Sequence, residues 1–154
     1  MRIAMIAPPW LPIPPRGYGG IELVVYDLTE GLVRRGNEVL LFAPGDSRTS
    51  AELVPLAPEH IGQDWPAHAR HLGQAFSKYA YARAFLRRAD IIHDHTLYHE
   101  TALPVSAVHT LHGPTGHGAE IARRMCTDGQ HNYFVAISYR QRQLYGEEGI
   151  NFVG

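Results

Sequence analysis

Gly17-Tyr18-Gly19-Gly20-Ile21-Glu22 stands at the joint between a strand-like run and a helix-like stripe, and its flanks decide the fold. Upstream, Ile3-Ala4-Met5-Ile6-Ala7 is a continuous apolar run ended by prolines, the pattern of a strand buried on both faces. Pro8-Pro9-Trp10-Leu11-Pro12-Ile13-Pro14-Pro15-Arg16 cannot be helical, because proline removes backbone donors and restricts its predecessor. Downstream, Ile21, Val24, Val25, Leu28 and Leu32 keep the i, i+3, i+4, i+7, i+11 spacing of an amphipathic helix. Arg34 and Arg35 in its last turn and Gly36 as the C′ residue close it. Val39-Leu40-Leu41-Phe42-Ala43 is a second strand. Strand, helix and strand within about 40 residues form a βαβ unit, with parallel strands and a right-handed crossover.

Two adjacent glycines at such a joint let the backbone pass close to a ligand and take φ values closed to other residues. The helix that follows turns its free N–H groups and positive dipole end toward the loop, so a phosphate or carboxylate is the natural guest. On spacing alone the glycines serve equally well as a turn, and Glu22 either favours the helix dipole or meets a ligand. Gly17-x-Gly19-x-x-Glu22 begins like a dinucleotide fingerprint but has glutamate where the third glycine should allow close helix–strand packing. With the proline-rich insertion in place of a tight turn, a nicotinamide cofactor is not expected.

The rest of the chain repeats the alternation. Residues 44–64 have loop chemistry with a short strand at 52–56, and 66–88 read as a helix with a stripe of Leu72, Ala75, Phe76, Tyr79, Ala82 and Leu86. Asp90–His95 is a strand with a polar C-terminal end, and Pro104–Leu111 is another that runs into His112-Gly113. A helix is expected over 116–127 on Ala119, Ile121, Ala122 and Met125, then strands at 133–137 and 150–153. Between those strands Ser138 caps a helix, with Gln141 completing a capping box. The expected architecture is one doubly wound, mostly parallel α/β domain over residues 1–154, with helices on both faces. Ligands in such sheets gather outside the carboxyl ends of the strands. Gly19-Gly20, His93-Asp94-His95, His112-Gly113 and Ser138 all stand at such ends, so they are expected to converge on one cleft.

Composition removes several classes. Fourteen basic and 15 acidic residues leave a net charge of −1, so no global field recruits nucleic acid or an anionic membrane. Cys126 is the only cysteine, which excludes an intrachain disulfide and suits a reducing compartment. No apolar run approaches the ~20 residues of a membrane span, and the N-terminus lacks a signal-peptide core. The cytoplasm is the expected location, with peripheral membrane contact left open. No Gly-x-Ser-x-Gly elbow or Walker loop is present. Tyr79, Tyr81 and Phe85 read as core, and His109, inside its strand, as a packed histidine or one bonded within the core. His93, Asp94 and His95, with His99, His109 and His112 nearby, invite a metal reading, but no third ligand has a diagnostic spacing. Two rivals therefore stay open: a metal-dependent hydrolase using His93, His95 and His112, and a non-catalytic α/β binding module. A receiver-like module would need an acidic phosphoacceptor at the end of the first strand, where Ala7-Pro8 stands.

Taken in order, Gly19-Gly20-Ile21-Glu22 opening a helix, Arg35-Gly36-Asn37-Glu38-Val39 closing it, Asp90-Ile91-Ile92-His93-Asp94-His95, Thr110-Leu111-His112-Gly113 and Val135-Ala136-Ile137-Ser138 resemble the N-terminal half of family 4 glycosyltransferases. These are retaining enzymes of the GT-B architecture, and the resemblance covers nearly the whole chain. It implies a Rossmann-like domain that holds the acceptor, paired with a similar second domain that holds most of the nucleotide-sugar. It also implies roles. Gly19 and Gly20 would approach the donor diphosphate, and His112 would support catalysis near the transferred sugar. Glu22, His93, Asp94, His95, Gly113, Ser138 and Arg140 would line the acceptor side or edge the cleft. No metal and no cofactor beyond the nucleotide-sugar co-substrate is implied; the acceptor would be a sugar, a lipid-linked or a small molecule. The second, donor-holding domain is not in these residues, so the chain is expected to fold alone and transfer no sugar.

Overall fold

A computed structural model of the chain describes residues 1–62, 69–96, 98, 105–113, 120, 122–125, 131–147, 150, 152 and 153. Six strands are present among them: β1 (Arg2–Ile6), β2 (Glu38–Ala43), β3 (Glu52–Pro55), β4 (Ile91–Asp94), β5 (Ala107–Leu111) and β6 (Asn132–Ala136). All pair in parallel, in the spatial order β3-β2-β1-β4-β5-β6. The helices are α1 (Gly20–Arg34), α2 (Ala69–Leu86) and α3 (Tyr139–Glu147), with a further helical stretch at 122–125. The sheet is thus the doubly wound one the alternation implies. β1 and β2 are apolar on both sides because each side meets a helix layer.

β1 shows the two faces. Met5 and Ala7 pack with Leu41, Ile13 and Val25 under α1, whereas Ala4 and Ile6 pack with Leu40, Phe42, Ala80 and Tyr81 under α2. A third cluster, Leu111, Ala122, Met125, Phe134, Tyr145 and Ile150, seats α3 against β5 and β6. β3 carries Pro55 at its end, which an edge strand tolerates because one row of its amides has no ladder partner. Where a strand over 150–153 was expected, the described residues show a parallel bridge from Phe134 to Phe152.

The face of α2 differs from the expected stripe. Its buried residues are Ala69, Gly73, Phe76, Ser77, Ala80, Tyr81 and Ala84. Of the large apolar residues expected inside, Tyr79, Phe85 and Leu86 point outward at 52%, 46% and 72% exposure, and Arg83 lies over the Tyr79 ring. The buried face mixes small residues with Phe76 and Tyr81. Gly73 makes room for the Tyr98 ring beyond β4: a Cβ there would lie 2.5 Å from it. The expected helical turn at 66–68, His68, His99, His117, Cys126 and most of 116–127 lie outside the described residues.

The proline-rich loop is anchored rather than free. Ile13 is fully buried; its N–H donates to Ser47 Oγ at 2.9 Å and its carbonyl accepts from Arg48 N–H at 2.6 Å. Pro9 and Trp10 carbonyls accept from the amides of Ile61 and Gly62. The loops at 8–16 and 44–62 therefore hold each other over the carboxyl end of the sheet.

Candidate functional site

Strand order reverses between β1 and β4: the chain runs outward from β1 to β3, then returns to β4 on the other side. Crevices open at such a switch point. An open cleft of ≈ 790 Å³ lies there. Trp10, Leu11 and Tyr18–Glu22 reach it from the end of β1, His95, Thr96 and Tyr98 from β4, His112 from β5 and Ile137 beyond β6. Of the residues singled out at the strand ends, Gly19, Gly20, Glu22, His95 and His112 share its wall, whereas His93, Asp94, Gly113, Ser138 and Arg140 do not.

At the start of α1 the first intrahelical bond runs from Leu23 N–H to Gly19 O at 2.9 Å, so the amides of Gly20, Ile21 and Glu22 precede the ladder. Neither glycine is needed for unusual dihedrals. Gly19 has φ 173°, which is extended backbone, and Gly20 is the first helical residue. Gly19 is required for close approach instead: a Cβ would meet Pro15 Cβ at 2.7 Å and Glu22 Oε2 at 3.1 Å. Gly20 has open space where its Cβ would be. Glu22 is buried, and desolvation raises its carboxyl above the ordinary range, against the pull of its own backbone N–H.

The alternation of β4 splits His93-Asp94-His95 between the two faces. His93 and His95 are on the α1 face. Their rings stack 4.5 Å apart, and His95 stacks in turn on His112 at 5.1 Å. His95 Nδ1 lies 2.8 Å from His112 Nε2, and His93 Nε2 lies 2.8 Å from Thr110 Oγ1. Burial holds His93 down at about 4, although Asp94 pulls it up. Burial also lowers His95, with further lowering from His93 and His112, and it lowers His112. The row is neutral at neutral pH and presents lone pairs and N–H groups rather than charge. His93 sits behind His95 and does not reach the cleft wall.

Asp94 is not a cleft residue. Fully buried on the α2 face, it accepts from Tyr81 Oη at 3.0 Å and from the Thr96 amide and hydroxyl, each at 2.7 Å. Burial opposes its charge, but nearby His109 (Nδ1 3.7 Å away) and the Thr96 bonds hold it well below the usual carboxylate range. The Thr96 bonds close the turn that carries His95, so Asp94 shapes the site from behind.

Ser138, Gly113 and Arg140 also lie off the wall. Ser138 Oγ accepts from Gln141 N–H at 3.1 Å as the cap of α3. Gln141 completes the box one residue early, with Oε1 accepting from Ile137 N–H at 2.9 Å. Its Nε2 donates to the carbonyls of Leu111 and Gly113, which ties the cap to the segment carrying His112. Arg140 is exposed on the first turn of α3. The hydrolase arrangement is not built: His95 and His112 face each other, His93 faces Thr110, and no group of three possible metal ligands converges among the described residues. Thr96, Tyr98 and Ile137 are wall residues that motif reading missed. Their signal is positional, each following the end of a strand on the switch-point side.

A family model described as Glycosyltransferase Family 4 matches residues 18–147. The solved structure of AviGT4, a glycosyltransferase involved in avilamycin A biosynthesis, superposes with a TM-score of 0.59 at 25% identity. The match covers 94% of this chain and 38% of that one, so the chain spans well under half the length of that protein. No curated protein matches.

Proposed function

The chain belongs to glycosyltransferase family 4, and from that premise we propose that it is the acceptor-side domain of a retaining enzyme that moves a sugar from a nucleotide-sugar to an acceptor hydroxyl. One observation carries the reading: the N-terminus of α1, fronted by Gly19-Gly20, faces the neutral His95–His112 pair across a single cleft. Breaking a glycosyl–phosphate bond builds negative charge on the departing diphosphate and positive charge on the sugar. Amides ahead of the α1 ladder, with open space at the Gly20 Cα, suit an approaching diphosphate. Imidazoles kept neutral by burial orient hydroxyls without competing for that anion. Trp10, Leu11 and Tyr18, on the anchored loop, supply an apolar wall for the acceptor. Most donor contacts would come from a second domain. No helix among the described residues is long and apolar enough to cross a membrane; a lipid-linked acceptor would be met by peripheral contact.

Two measurements test this. The purified 154-residue chain should fold and turn over no nucleotide-sugar; measurable transfer by it overturns the division of labour. In an enzyme that joins this chain to a donor domain, His112→Ala should lower kcat with only a modest change in nucleotide affinity. Unchanged turnover would remove His112 from the catalytic machinery.

A further inference from the structure

Glu22 is only 5% exposed, yet it lines the cleft. Its carboxyl folds back over the start of α1: Oε2 lies 3.1 Å from where a Gly19 Cβ would stand, and the group accepts from its own backbone N–H. Among the described residues no other side chain or amide donates to it. A carboxylate so buried and so poorly partnered is costly, and desolvation favours its neutral form.

The amides of Gly20, Ile21 and Glu22 precede the α1 ladder, and the Glu22 carboxyl already takes the third. Ionised, it is an internal anion on the same dipole end that an external anion would use, and two anions at one site disfavour each other's charge. Protonated, it stops competing for the amide, and its O–H can donate to the newcomer. The surrounding elements bring no cation onto the carboxyl. His95 and His112, at the ends of β4 and β5, are held neutral by burial. Tyr18 from the loop and Tyr98 beyond β4 add hydroxyls to the cleft wall. Arg16 pairs with Asp46 at 3.7 Å, and Tyr26 and Asp27 follow one turn along α1.

We propose that Glu22 is a specificity-determining residue that works by proton uptake: an anion docks on the α1 amides as the Glu22 carboxyl takes one proton from solvent and turns from rival to hydrogen-bond donor. Affinity for the anion then falls as pH rises. A sugar hydroxyl, which can donate to the ionised carboxylate, needs no such proton. In the transferase reading the anion is the donor diphosphate, which moves Glu22 from the acceptor side of the cleft to the donor side. That identity rests on the reading above, whereas the proton linkage stands without it.

The carboxyl carbons of the glutamate-labelled 154-residue chain, followed by NMR between about pH 4 and pH 8, read the linkage directly. Inorganic sulfate and UDP-glucose, whose charged groups stay ionised over that range, should each raise the Glu22 midpoint when bound, by about one pH unit; by reciprocity that is a roughly tenfold tighter grip by the protonated form. Glucose should not raise it. Glu22→Gln, which is neutral throughout and still accepts from its own amide, should hold both anions about tenfold tighter than the wild type at the alkaline end. A bound-state midpoint that stays or falls overturns the linkage, as does a glutamine variant that binds no tighter. An equal rise with glucose overturns the ligand class. If neither anion shifts the Gly20 and Ile21 amides at the acid end, α1 is no anion site and the proposal falls with it. Should Glu22→Gln fail to fold, the wild-type titration decides alone. Absence of sugar transfer by a two-domain enzyme whose Glu22 still takes up its proton would instead sink the transferase reading.

Discussion

Gly19 and Gly20 are adjacent, yet alanine should have opposite effects at the two positions. At Gly19 the new Cβ would lie 2.7 Å from Pro15 Cβ and 3.0 Å from Pro15 Cγ. The carboxylate at 3.1 Å can swing away, but the proline ring sits on a loop pinned through Ile13 to Ser47 and Arg48. Overpacking of that kind costs about 1–3 kcal/mol. With φ at 173° there is no left-handed strain to add, so the cost is purely steric. Alanine also restricts the unfolded chain, offsetting roughly 0.4–1 kcal/mol. The net loss is about 1–2 kcal/mol, or a fall in Tm of about 3–6 °C for a chain of this size. At Gly20 no atom lies within 4 Å of where an alanine methyl would stand, and the residue is helical, so alanine should gain about 0.5 kcal/mol. Thermal and urea unfolding followed by circular dichroism would measure both. Equal stabilities of the two variants, or Gly20→Ala as the weaker, would refute the assignment of Gly19 to close packing and Gly20 to open cleft. The Gly20 methyl should also weaken nucleotide-sugar binding in a two-domain enzyme while leaving the fold more stable.

Gly73→Ala drives a methyl to 2.5 Å from the Tyr98 ring and should cost about 2 kcal/mol; in a Tyr98→Ala background the same change should become neutral or favourable, as a urea double-mutant cycle would show. Gln141→Ala removes the partners of the Leu111 carbonyl and the Ile137 amide, while the Gly113 carbonyl keeps Tyr145 Oη, costing about 1–3 kcal/mol, and native-state hydrogen exchange should find the Ile137 amide opening faster. His93 binds its proton at about 4 when folded and near 6.5 when unfolded, so the unfolded state takes up the proton first. Stability should therefore fall as pH drops from about 6.5 to about 4, by about 3 kcal/mol from this group. His93→Gln, which can still bond Thr110, should flatten that part of the urea-midpoint profile; an unchanged slope would show that His93 is not buried in its neutral form.

The sheet and the place of the cleft are legible because continuous apolar strands and their polar ends are local patterns. Ile3–Ala7 and Val39–Ala43 have no amphipathic alternation to misread. α2 is harder. Its large apolar residues Leu72, Tyr79 and Leu86 keep helical spacing, but the buried face is Ala69, Gly73, Phe76, Ser77, Ala80, Tyr81 and Ala84. The choice depends on how closely helix and sheet approach, which no window of sequence reports. At the site, motif reading treats His93-Asp94-His95 as one unit, whereas period-two alternation sends its middle residue to the opposite face. Ser138 and Gln141 announce their cap by spacing alone, but the two carbonyl bonds from Gln141 span about 30 residues and leave no mark nearby.

That division of β4 means three consecutive letters answer to different selections. Substitutions at Asp94 strip the anchor from Tyr81 and Thr96, so a library scored for soluble abundance would mark position 94. A library scored for ligand binding at the cleft among well-folded members would mark position 95, whose ring lines the cleft beside His112. A profile that weights the three positions alike blends a folding constraint with a ligand constraint, and two-trait scanning of this one tripeptide would separate them.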